Sequence, residues 1–338
     1  MRRWIGLWAL AWGLAGCTEP SPVGLGGWES VQTLYRDAFL LREKVAYRSG
    51  GLKVFGQVCR PNRQGQFPIV LWNHGGFEGL QVEDENLCQN LALLGYVVLM
   101  SSYRGEDGSE GAIEVCQGEV DDVLEMLAIG RTMPYANPSR VAVAGGSHGG
   151  CIALRAVQKG APAQVLIDIF GPTDWATEYR QLEQLAASSD PLKKQLAQQL
   201  GDIIRSRLGG TPAQVPGRYR ERSPVADAAS LRNWPGSVLV VHGALDWVVP
   251  PEQSCNLAQA VGGFTHFRIT RTGATSSTAP AGCAGAGLSW SGGEVPRGQW
   301  AGRRYLLVYD EFGHGDGEQA GLAVLDALNY LGSKFPAN

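Results

Sequence analysis

Short apolar runs and amphipathic stretches alternate along most of this chain. Residues 67–72, 96–101, 140–144, 163–169, 237–241 and 305–308 are rich in Val, Leu, Ile and Ala and read as strands. Between them, residues 86–94 and 119–129 have helical spacing, the first ended by Gly95. Continuous apolar runs mark strands buried on both faces. Their alternation with helices predicts an α/β fold, a mostly parallel central sheet with helices on both faces. Ahead of the first run, residues 30–41 read as a helix, and residues 44–60 alternate around Gly50-Gly51 as a hairpin. Two segments depart from the pattern. Residues 177–207 carry Leu182, Leu185, Leu192, Leu196 and Leu200 among polar residues, which predicts a pair of amphipathic helices forming a small cap over the sheet edge. Residues 270–302 are dense in Gly, Ala, Ser and Thr and read as a long surface excursion between the last two strands. One domain over residues 45–335 is the simplest account.

Composition narrows the class of molecule. With 44% hydrophobic and 18% charged residues, 46 Gly and 18 Pro, the chain is a folded, loop-rich protein and not a disordered one. Its 29 Lys and Arg against 32 Asp and Glu leave a formal charge of -3, too weak a field to attract a polyanion, so nucleic acid is excluded as a partner.

The start of the chain has its own signature. Arg2 and Arg3 precede an apolar run at residues 4–14, shorter than the roughly 20 residues a helix needs to cross a bilayer. Leu14-Ala15-Gly16-Cys17 follows and resembles the bacterial lipoprotein box, cut ahead of a Cys that carries a diacylglyceryl thioether. We therefore expect a signal peptide at 1–16, lipidation of Cys17, and a tether with the N-terminal helix over 17–44. The protein would be an extracytoplasmic, membrane-anchored lipoprotein, with a soluble secreted or periplasmic form as the alternative. Beyond Cys17 six Cys remain: Cys59, Cys88, Cys116, Cys151, Cys255 and Cys283. An even number in an exported protein permits disulfides. We expect Cys88 with Cys116 and Cys255 with Cys283, with Cys151 buried and free. No pair has the close spacing of a zinc site.

Candidate chemistry concentrates in three places. Gly145-Gly146-Ser147-His148-Gly149-Gly150 follows a predicted strand and precedes an apolar helix, the context a nucleophile elbow needs. Serine is a poor nucleophile until a base takes its proton, and that base needs an acid to orient it. Of the five His, only His314 lies late in the chain, on a loop after the final strand, and Asp246 follows the strand at 237–241. Ser147, Asp246 and His314 therefore occur in the order this fold requires. A tetrahedral intermediate also needs amide donors. The loop Asn73-His74-Gly75-Gly76-Phe77 supplies the N–H of Gly76, or of Phe77, and the elbow supplies that of His148.

Together these residues resemble the catalytic domain of the prolyl oligopeptidase family, in its acylaminoacyl-peptidase-like and dipeptidyl-aminopeptidase-like branches. The resemblance runs from about residue 45 to 332. It includes Ser102-Tyr103-Arg104-Gly105, Gly118-Glu119-Val120-Asp121-Asp122-Val123, Asn137-Pro138-Ser139-Arg140, Leu208-Gly209-Gly210-Thr211-Pro212, Arg222-Ser223-Pro224-Val225 and Gly313-His314-Gly315. It implies the triad Ser147, Asp246 and His314, and a structural Arg104 paired with Asp121 or Asp122. It also implies a substrate pocket lined by Trp175, Tyr179 and Val249, for which ordinary core packing is the alternative, with Phe77 beside the donor loop. Enlarged members carry a β-propeller ahead of this domain, and the stretch before the first hairpin is too short for one. Val248 stands where dipeptidyl peptidases often have Asn.

The expected activity is hydrolysis of amide bonds in short peptides or acylated amino acids through an acyl-enzyme on Ser147, with no metal or organic cofactor. A carboxylesterase acting on small acyl esters is the alternative, and a silent envelope lipoprotein that keeps the fold is a remote one. The sequence leaves the oligomeric state open.

Overall fold

The computed structural model describes residues 27–337, so Cys17 and the expected signal peptide lie outside the described residues. In chain order the strands are β1 (Ser30–Arg36), β2 (Leu40–Ser49), β3 (Leu52–Pro61), β4 (Phe67–Asn73), β5 (Val97–Ser101), β6 (Ala136–Gly146), β7 (Val165–Ile169), β8 (Ser237–Gly243), β9 (Thr265–Ile269), β10 (Thr275–Ser276) and β11 (Arg304–Tyr309). The helices are α1 (Val82–Leu93), α2 (Gly118–Gly130), α3 (His148–Gln158), α4 (Trp175–Leu185), α5 (Pro191–Leu208), α6 (Pro216–Arg222), α7 (Ala228–Asn233), α8 (Glu252–Val261) and α9 (Ala320–Lys334).

All the strands join one sheet in the order β1-β2-β3-β5-β4-β6-β7-β8-β11-β9-β10. From β5 to β9 every pairing is parallel; the β1-β2-β3 end and β10 are antiparallel. The apolar runs are continuous because successive residues enter two different cores. Ile69, Leu71, Val97, Leu99, Val141 and Val143 meet α2, α3, α4 and α8 on one face. Val70, Val98, Met100, Ala142 and Ala144 meet α1 and α9 on the other. Side chains alternate across a strand, so a strand covered on both sides has no polar face.

Residues 177–207 form most of α4 and α5 and the turn between them, each helix opened by an Asp whose carboxylate accepts two backbone N–H groups: Asp174 from Ala176 and Thr177, Asp190 from Leu192 and Lys193.

Three expectations are corrected. Residues 30–41 are not helical: they form β1 and the start of β2, because Val31, Thr33 and Tyr35 favour extended backbone and every residue of β1 is exposed, leaving no face for a helix to bury. The excursion at 270–302 is less superficial than its composition implies. Trp290, Val295 and Trp300 are buried, Arg297 pairs with the buried Asp326 of α9, and His266 bridges to Trp290. The disulfides are Cys59–Cys88, Cys116–Cys151 and Cys255–Cys283. Cys88 cannot reach Cys116 because the two lie in the cores on opposite faces of the sheet, and Cys151 is bonded, not free.

Candidate active site

The turn from β6 into α3 is built on close backbone approach. A Cβ at Gly145 would lie 2.1 Å from Gly149 O, and one at Gly149 would lie 2.0 Å from Asn73 O, so neither position admits a side chain. Ser147, between them, has φ of 53°, a conformation rare for a residue with a side chain. The Ile169 carbonyl holds its N–H at 2.9 Å, and the strained turn lifts Oγ out at the carboxyl end of the sheet.

The sheet brings the other two candidates to the same edge. The Ser147 Oγ–H donates to His314 Nε2 at 2.9 Å, and His314 Nδ1–H donates to Asp246 Oδ2 at 2.8 Å. Asp246 is buried beyond β8, and its second oxygen accepts N–H bonds from Val248 at 3.0 Å and Val249 at 2.9 Å. Burial pushes its carboxyl up, but bonds and charge from His242 and His314 outweigh that and hold it down at about 2. His242, fully buried, donates Nε2–H to Val249 O at 2.8 Å and bonds Ser254 through Nδ1, which fixes the acid-bearing loop from behind. His314 follows β11, and Phe170 lies against its ring with centroids 4.6 Å apart. Phe170 has φ of 45°, unusual for a bulky residue and a mark of a constrained site.

The loop after β4 lies against the elbow. A Cβ at Gly75 would sit 3.0 Å from that of Ser147. Among the described residues neither the N–H of Gly76 nor that of His148 donates to a protein acceptor. The expected pocket residues divide. Phe77 is half-buried 4.7 Å from the His148 ring, and Trp175 stands edge-on to that ring at 6.0 Å. Trp175 is as buried as Tyr179, which lies against Tyr219, and Val249, whose backbone is committed to Asp246 and His242.

Around this centre runs a buried polar layer. Arg104 pairs with Asp122, not Asp121, and with Glu114; Asp121 instead meets Lys159. Glu106 is 4% exposed and accepts the Gly79 N–H at 2.5 Å. Burial, with Glu119, Asp107 and Glu78 nearby, pushes its carboxyl up to about 8 against that bond. Sequence reasoning missed Phe170, Glu106 and the roles of His74 and His242; nothing in their spacing marks them. Among the described residues no three His, Cys, Asp or Glu side chains are grouped to hold a metal.

A Ser-His-Asp chain on a strand-turn-helix elbow has counterparts. The profile of the prolyl oligopeptidase family matches residues 84–265. An uncharacterized peptidase, YtmA, of Bacillus subtilis is 26% identical over 211 residues, which is 62% of this chain and 75% of that protein. Acylaminoacyl peptidase of Pyrococcus horikoshii superposes with a TM-score of 0.60 at 17% identity, over 88% of this chain but only 42% of its own. Acetyl xylan esterase 1 from Thermoanaerobacterium superposes with a TM-score of 0.60 at 14% identity, over 91% of this chain and 90% of its own. The chain thus spans about two fifths of the length of the acylaminoacyl peptidase it resembles. The chain belongs to the prolyl oligopeptidase family and is a serine hydrolase with the α/β-hydrolase fold.

Proposed function

We propose that the protein cleaves amide bonds in short peptides or acylated amino acids through an acyl-enzyme on Ser147. The observation that carries this reading is the unbroken hydrogen-bonded chain from Ser147 Oγ through His314 to Asp246. In this mechanism His314 Nε2 takes the Oγ proton as the oxygen attacks the carbonyl carbon. The oxyanion is held by the N–H groups of Gly76 and His148, each such donor typically worth about 2.7 to 4 kcal/mol. His314 then returns the proton to the leaving amine, the C–N bond breaks, and water repeats the sequence to free the acid and restore Ser147. Asp246 holds the Nδ1–H tautomer and balances the imidazolium. Phe77 offers an apolar wall to the acyl side.

A second reading, carboxylesterase on small acyl esters, has its own support. The acetyl xylan esterase is matched over nearly its whole length, whereas the acylaminoacyl peptidase carries a further half that this chain does not match. The test is the ratio of kcat/KM for short-chain nitrophenyl esters to that for aminoacyl and dipeptidyl nitroanilides, with Ser147→Ala as control. Amide turnover within about a hundredfold of ester turnover means efficient protonation of the leaving amine, hence a peptidase. Ester turnover alone makes the protein an esterase. No labelling of folded protein by a fluorophosphonate would sink both.

We further propose that Cys17 carries a lipid anchor outside the cytoplasm. Three disulfides among the described residues support an oxidising compartment. Loss of radiolabelled palmitate incorporation in Cys17→Ser is the expected result; unchanged incorporation would overturn it.

A further inference from the structure

Two consecutive carbonyls of the loop after β4 are gripped by imidazoles. The Cys116 N–H donates to His148 Nε2 at 2.9 Å, so that nitrogen carries no proton. The neutral ring then bears its proton on Nδ1, which donates to Gly76 O at 3.2 Å. One residue earlier, His74 Nδ1–H donates to Gly75 O at 2.9 Å. A trans peptide points its N–H opposite to its C=O, and no cis bond occurs among the described residues. The His74 bond therefore sets the direction of the Gly76 N–H, and the His148 bond sets that of Phe77. Gly75 and Gly76 have no side chains of their own to anchor this stretch. Gly76, at φ of +72°, would have open space around a Cβ. The His148 ring is only 3% exposed, enclosed by Phe77, Tyr103 and Trp175. Burial, then the neighbouring His74, push it down to about 3 despite the Gly76 bond, so it stays neutral in one tautomer.

We propose that the His148 imidazole is a positioning residue of the oxyanion site, holding the donor loop at a fixed distance from the elbow. One residue spans both halves of the site: its backbone N–H is one donor, and its side chain grips the loop that carries the other. The Cys116–Cys151 disulfide closes the clamp, because Cys116 supplies the bond to Nε2 while the Cys151 N–H reaches Ser147 O at 3.4 Å. This inference rests on the acyl-enzyme reading of Ser147.

His148→Phe keeps the backbone donor and a flat ring but removes both bonds, and His148→Gln keeps a donor that can reach Gly76 O. With nitrophenyl acetate as substrate, His148→Phe is expected to lower kcat roughly 100-fold, the cost of misplacing a site by about 1 Å, with little change in KM. Inhibition by phenylboronic acid, whose tetrahedral adduct occupies the oxyanion site, should weaken in parallel, and His148→Gln should recover part of both. Unchanged kcat and boronate affinity in a folded His148→Phe would overturn the clamp. Should the variants fail to fold, the imidazole nitrogens of the wild type at pH 7 decide the matter by NMR: a buried ring protonated on Nδ1 is expected, and protonation on Nε2 overturns the proposal. A wild type that does not react with a fluorophosphonate would sink the Ser147 reading instead, leaving the NMR result to judge the clamp.

Discussion

Asp246 accepts two backbone N–H bonds on one oxygen and an imidazole N–H on the other, so its charge is fully solvated by the protein. Asp246→Asn would present an amide N–H where an acceptor is needed or leave the wrong His314 tautomer. A fall in kcat of roughly 10³- to 10⁴-fold with KM nearly constant is expected, read from steady-state nitrophenyl ester hydrolysis. The same carboxylate has a pH signature. Its folded value of about 2 lies below the unfolded value, so its stabilisation is complete above about pH 4 and is lost as pH falls through 2. Urea unfolding of wild type and Asp246→Asn should differ by about 2 kcal/mol more at pH 7 than at pH 2, and an equal gap at both would refute the assignment. Glu106 works the opposite way. Its folded value of about 8 lies above the unfolded one, so ionisation opposes folding increasingly from about pH 4 and fully above 8. Glu106→Gln keeps an acceptor for the Gly79 N–H and should stabilise the protein on the order of 5 kcal/mol at pH 9 with almost no effect at pH 4. A pH-independent difference would mean that Glu106 is not held neutral.

At the level of elements, the elbow is a strand and a helix joined covalently to a third segment. Cys116–Cys151 closes a separation of 35 residues, and losing such a crosslink costs about 4 kcal/mol in the chain-entropy account. Cys116→Ala with Cys151→Ala should lower stability by that order in denaturant titration and lower kcat as well, because the crosslink holds the segment whose Cys116 backbone N–H fixes His148; full activity would separate the disulfide from the site. Phe170 follows β7 in a left-handed conformation against His314. Phe170→Gly relieves the backbone while removing the ring, so stability should change by no more than about 1 kcal/mol whereas kcat/KM falls about tenfold. These contrasts also explain what could be read beforehand. Strands such as residues 67–72 and 237–241 announce themselves because burial on both faces leaves no polar position. The elbow does so because close approach admits only Gly at 145 and 149. Phe170 and Glu106 gave no such signal: their roles come from neighbours distant in sequence that only the assembled sheet brings together. Residues 30–41 misled because an edge strand exposed on every residue lacks the burial pattern that distinguishes strand from helix. Cys88 misled because sequence spacing does not say on which face of a sheet a helix lies.

Across the whole molecule, the sheet runs from the exposed β1 at one edge to β10 at the other, and the described chain enters at the β1 edge. A mechanical load applied to the N-terminal side would therefore act first on β1 and the β2–β3 hairpin, peeling antiparallel ladders from the rim. Cys59, the last β3 residue paired with β5, is bonded to Cys88 on α1, so the load meets a covalent bond at the inner end of the antiparallel ladders. Peeling is thus limited to residues 27–58, about 110 Å of extended chain at roughly 3.4 Å per residue. Pulled from that end in an optical trap, the oxidised protein should give this length as its first extension, and a reduced one a longer step. The rim of the sheet would then serve as a sacrificial spring that yields while the strands bearing Ser147, Asp246 and His314 keep their register.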